Sequence, residues 1–189
     1  MVLARSIIFI SFPIREELSE LLKLPVSIQN DANCAALAEV WQGNAQNVNN
    51  SACLIIGSGI GGAVVVDKKL ISGSHLFGGE FGFMIIDYKK NITLSGAGSP
   101  VTMGRNFSND RTDGKYYSGA DVFALAESQK AKDYVDDLLQ AIAVGAYNLA
   151  VTFDPEIILV GGAISQNQKV ILEINERLDW FLLSNPVSF

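Results

Sequence analysis

The sequence predicts an α/β protein, and three observations carry that prediction. Apolar, β-branched runs bounded by glycine ("SACLIIG", "GAVVVD", "EIILVGG") read as strands. Other stretches have helical spacing, such as "KAKDYVDDLLQAIAVGAYNLAVTFDP". That long helix feeds directly into a strand, the alternation that builds a sheet covered by helices.

The elements can be justified in order. Pro13–Lys23 reads as a helix: proline opens it, Glu16 and Glu17 fill its first turn, and Leu18, Leu21 and Leu22 share a face. "PVSIQ", Pro25–Gln29, reads as a short strand. Asn30 or Asp31 then caps a helix that runs to about Gln42, with Gly43 at its end. Strands follow at Ser51–Gly57 and Gly62–Asp67, and a third continues after a Lys-Lys turn. "GSHLFGGEFGFM" is a glycine-rich loop leading into the strand "FMIID". Tyr88–Lys115 is polar, without periodicity, and is expected to be a long loop or insertion. Ser118 caps a helix over "SGADVFALAESQ", and the long helix ends at Asp154-Pro155. The strand "EIILVGG", a loop and an amphipathic helix complete the chain.

The bulk numbers exclude several function classes. The chain has 189 residues, 49% of them hydrophobic, and a net charge of -6. Mean hydropathy is +0.25 and the isoelectric point near 4.7. An acidic chain lacks the footprint of a nucleic-acid binder, so no DNA partner is expected. Cys34 and Cys53 are far apart, in apolar surroundings, and are expected to be buried free thiols. His75 is the only histidine, too little for a zinc site. The apolar run Ser6–Phe12 is at the short limit of a signal-peptide core, and no cleavage site follows. Nothing approaches the ~20 apolar residues of a membrane span. A cytoplasmic protein is expected.

"LIIGSGIGGAVVVD" poses the functional question. Gly57, Gly59 and Gly62 have the G-x-G-x-x-G spacing of a dinucleotide-binding turn. That fingerprint needs a helix after the turn, to receive a pyrophosphate at its N-terminus. Here three consecutive valines favour a strand. A glycine hairpin between strands can still present backbone N–H groups to a phosphate, with Ser58 adding a hydroxyl. It can equally be a packing device, and these residues alone leave both open.

Three segments together, "VSIQNDANCAALAE", "LIIGSGIGGAVVVDKKLISGSHLFGGEFGFM" and "YNLAVTFDPEIILVGGAIS", resemble the ROK family of repressors, uncharacterised reading frames and sugar kinases. The resemblance covers roughly Phe12 to Glu176 and looks closest to β-glucoside-kinase and glucokinase-like members. It implies an actin-like ATPase (ribonuclease H-like) fold, mainly the C-terminal lobe. Residues 1–29 would be a remnant of the N-terminal lobe and crossover, and 30–189 the C-terminal lobe with an insertion at 88–115. It also implies transfer of phosphate from ATP, with Mg²⁺, to a hydroxyl of a hexose or β-glucoside.

Residue by residue, the resemblance makes Asp31 of "NDAN" the catalytic base and a sugar contact, with Asn30 beside it on the sugar hydroxyls. Glu80 of "GGEFG" would grip the sugar ring, Ser58 and Gly59 would contact phosphate, and Gly161 and Gly162 would lie near the adenosine. Each has a bland alternative: a helix cap, a loop acid, a simple turn. A homodimer is implied by the family alone. The sequence departs from the family pattern in three ways. Phe83 and the cysteine-free "NITLSGAGSPVTMGRN" stand where many members bind zinc, so no zinc is expected. No D-x-G-G-T phosphate loop occurs, and the chain is short at its end. A truncated kinase is therefore expected. A catalytically inactive sugar-binding protein is the alternative, and the repressor branch is disfavoured because no winged helix-turn-helix fits before Pro13.

Overall fold

The computed structural model describes residues 12–185. The apolar run at Ser6–Phe12 lies outside them apart from Phe12. By contacts the chain divides between Asp31 and Ala32.

In the first unit, α1 spans Ile14–Leu22. Glu16 and Glu17 lie in its first turn, where they complement the helix dipole, and Lys23 ends it in a left-handed conformation (φ 54°). The strand expected at Pro25–Gln29 does not form, and the segment is irregular. Apolar alternation makes an extended segment, but only a ladder partner makes it a strand, and Pro25 removes one donor.

The second unit is built on a sheet of order β3-β2-β1-β6. Central β1 (Ser51–Ile56) pairs antiparallel with β2 (Ile60–Val66) and parallel with β6 (Ile157–Gly161); β3 is Lys69–Leu70. Side chains alternate across β1. Leu54 and Ile56 join Val64 of β2 in one buried cluster, with Leu138, Leu139, Ile142 and Leu149 of α6 (Gln129–Phe153). Cys53 joins Ala63 and Val65 in a second, with Ala36 and Val40 of α2 (Asp31–Gln42). The sheet is thus covered on both faces, as an α/β sequence requires. Asp154 closes α6 in a left-handed conformation (φ 43°) ahead of Pro155, where its end is expected. The last helix, α7 (Gln168–Ser184), packs along α6.

The expectation of a loop at 88–115 is corrected. β4 (Ile85–Asp87) pairs with β5 (Ile92–Thr93), and α3 (Leu94–Gly98) and α4 (Pro100–Asn109) follow. The cause is capping. Thr93 Oγ1 accepts from Gly96 N at 3.1 Å, and Ser99 Oγ accepts from Thr102 N at 3.4 Å with Pro100 as the first helical residue. Met103 and Phe107 then lie one turn apart and are both buried. Only the stretch before α5 (Gly119–Ala124) stays irregular, braced by Asp113, which binds Arg111, the Lys115 N–H and the Tyr117 hydroxyl. Those three donors hold the Asp113 carboxyl down at about 2.

The cysteines also part company. Cys53 is buried, and burial pushes its thiol up to about 11, whereas Cys34 is exposed, against expectation. Ala32, Asn33 and Ala36 define the buried face of α2, and Cys34 is turned away from it by the helical rotation.

Candidate active site

The strand–turn–strand expected after Ser51 is present: Ile56 pairs with Ile60, and Gly57, Ser58 and Gly59 make the turn between them. Every carbonyl of this turn is engaged. Ser99 Oγ, at the N-terminus of α4, donates to Gly57 O (3.2 Å) and Ser58 O (2.8 Å). Gly59 O accepts from the Gly57 N–H at 2.8 Å. On the far side, Ser95 Oγ of α3 accepts from Ile60 N at 2.8 Å. The N–H groups of Ser58 and Gly59, by contrast, donate to no group among the described residues. The turn therefore presents donors and withholds acceptors, which suits an anion. A Cβ placed on Gly57 would meet nothing within 4 Å. Gly57 and Ser58 are exposed, so the donors are open to approach.

The second glycine turn lies alongside. Gly161 pairs with Ile55 across the parallel ladder. Gly162 has φ 91° and ψ 179°, and a Cβ there would fall on Ile56 O. Only glycine fits both constraints. Both turns therefore sit at the carboxyl end of the parallel pair β1–β6, the place where open α/β sheets take ligands.

Glu80 enters from a third side. It precedes a 3₁₀ turn, Phe81–Phe83, and is half-buried. Phe81 is buried, with its ring 5.9 Å from that of Phe153 on α6. The next residue, Gly82, lies so close to the strand that a Cβ would fall on Ile60 O. The Glu80 turn, α3 and the hairpin turn thus converge on Ile60. The structure brings Ser58, Gly59, Gly161 and Gly162 to one end of the sheet, and Gly82, two residues after Glu80, packs against Ile60 beside the hairpin turn.

Asn30 and Asp31 belong to the first unit, and the other candidate residues to the second. Asp31 is the first residue of α2, and the Asn30 N–H donates to Gln29 Oε1 at 2.9 Å. A carboxylate at a helix start can accept a proton from a hydroxyl. Within the second unit, α2 begins against β2: a Cβ on Gly61 would lie 3.0 Å from Ala32 Cβ.

Ser95 and Ser99 are the functional candidates missed from sequence. The Ser99-Pro100 pair carries the signal that could have found one of them, a cap followed by a first-turn proline. Among the described residues no group of three or more His, Cys, Asp or Glu is gathered to hold a metal. Mg²⁺ commonly uses only one or two carboxylates plus substrate phosphates. The donor turn fits such phosphates.

The chain is similar to known proteins. Residues 4–188 match the profile described as the ROK family. A beta-glucoside kinase of Listeria monocytogenes is 31% identical over 187 residues, covering 95% of this chain and 64% of that protein. A ROK family protein from Streptococcus pneumoniae, solved in complex with sucrose, superposes with TM-score 0.81 at 31% identity, over 93% of this chain and 61% of the other. A ROK hexokinase from Thermus thermophilus gives TM-score 0.83 at 27% identity, over 92% and 63%. The chain thus spans under two thirds of the length of these relatives.

Proposed function

We propose, from the premise that this chain belongs to the ROK family, that it carries the phosphate turn and sugar contacts of an ATP-dependent sugar kinase on an actin-like lobe. The observation that carries the reading is the turn at Gly57–Gly59, with its carbonyls engaged and two N–H groups open. In this reading the N–H groups of Ser58 and Gly59 and the Ser58 hydroxyl bind nucleotide phosphate oxygens. Gly161 and Gly162 keep the chain low beside the adenosine. Glu80 and Asn30 hold hydroxyls of a hexose or β-glucoside. Asp31 accepts the proton of the attacking hydroxyl as its oxygen bonds to the γ-phosphorus and ADP departs. Mg²⁺ accompanying the nucleotide supplies charge neutralisation on the transferred group. The reading places the protein in the cytoplasm, where ATP is available.

A coupled assay for ADP release with glucose, β-glucosides, fructose and N-acetylmannosamine tests it. Turnover with one of these sugars, lowered about 100-fold or more in Asp31→Asn, is the expected outcome, because a positioned base contributes about that much. A second reading is sugar binding without turnover. Sugar-dependent thermal stabilisation with no ADP release would select it.

A further inference from the structure

The segment "FGGEFGF" holds three phenylalanines that divide two ways. Phe81 is buried in the core. Phe77 and Phe83 are 47% and 64% exposed, yet their rings meet, with centroids 5.6 Å apart and planes inclined by 38°. They bracket Glu80 by hydrogen bonds: the Glu80 N–H donates to Phe77 O (3.4 Å) and the Phe83 N–H donates to Glu80 O (3.2 Å). Leu76, which leads into the pair, has φ 57°, a left-handed conformation that a leucine adopts only under constraint. Two exposed apolar rings thus meet at the surface, each on a residue joined by a backbone hydrogen bond to Glu80, the residue assigned to the sugar.

We infer that Phe77 and Phe83 form a stacking platform for the ring attached at the anomeric oxygen of a β-linked glucoside. The inference rests on the reading of Glu80 as a sugar contact. A β-substituent on glucose leaves equatorially, close to the plane of the sugar, so its own ring extends sideways from the sugar that Glu80 holds. A flat ring offers an aromatic pair the offset or edge contacts it prefers. Glucose itself has no such ring and gains nothing from the pair.

Calorimetric titration with glucose, methyl β-glucoside, phenyl β-glucoside and cellobiose tests the platform. Phenyl β-glucoside is expected to bind about three- to tenfold more tightly than methyl β-glucoside, the range an aromatic contact supports. Cellobiose shows whether a sugar ring is accepted as well as an aryl ring. Phe83→Ala and Phe77→Ala should abolish the preference and leave glucose affinity unchanged, and Phe83→Tyr should retain it. Glucose binding without any ring preference would overturn the platform alone. No binding of any sugar, with Glu80→Gln indistinguishable from wild type, would overturn the sugar site and the platform with it. Loss of a dimer by sedimentation in the alanine variants, without a ring preference, would assign the pair to contact between copies and overturn the inference.

Discussion

The two glycine turns at the end of β1 and β6 look alike in sequence and serve opposite needs. At Gly162 the backbone adopts φ 91° and a side chain would collide with Ile56 O, so glycine is required by packing. At Gly57 no steric demand exists, since a Cβ would project into open space. The first glycine lets two strands end side by side, and the second keeps open a surface whose N–H donors have no partner among the described residues. A glycine that packing does not require invites a functional explanation.

Substitutions can break this contrast. The largest effect is expected from Gly162→Ala, which should cost about 3 kcal/mol or more. For a chain of this size that lowers the melting temperature by on the order of 10 °C, readable by calorimetry. An unchanged melt would place Gly162 in the same class as Gly57. Next comes Ser99→Ala, which removes both a helix cap and the donor to two carbonyls. It should cost about 1–3 kcal/mol and also weaken nucleotide binding, because the freed carbonyls would face the anion. Ser99→Ala binding nucleotide as wild type does would detach α4 from the turn.

Gly57→Ala should leave stability within about 0.5 kcal/mol while reducing nucleotide affinity about tenfold, a loss of about 1.4 kcal/mol in binding. Lost stability with retained binding would reverse the assignment. The smallest effect involves neither turn. The folded-state pKa of Asp113 lies below the ordinary carboxylate value, so its brace contributes stability fully at pH above about 4. That contribution is lost as pH falls through about 2. Amide exchange at Lys115 should rise in that window while exchange in β1 stays slow.

Much of the architecture was legible because its signals are local. The valines after Gly62 ruled out a dinucleotide helix, Ser118 marked a cap, and Asp154-Pro155 marked the end of α6. What failed depended on partners distant in sequence. Pro25–Gln29 has a strand's composition but pairs with no strand among the described residues. The residues at 88–115 look like a loop because serine, glycine and asparagine dominate them, yet Thr93 and Ser99 spend their oxygens on helix starts. The same composition hid Ser95 and Ser99 from the candidate site: their role is to bind the hairpin turn, 35 to 42 residues away in sequence. Glu80, Ser58 and the paired glycines were named through long motifs; the fold sets Gly161 and Gly162 beside Ile55 and Ile56, and the Glu80 turn meets Ile60 through Gly82.

The unequal cysteines give this protein a built-in handle. A maleimide dye at neutral pH needs an accessible thiolate, which Cys53 denies it on both counts. Cys34 stands three residues after Asp31 on the same helix. A single fluorophore can therefore be attached to the wild-type chain one helical turn from the proposed base, giving an optical test of the proposed sugar site with no engineered mutation.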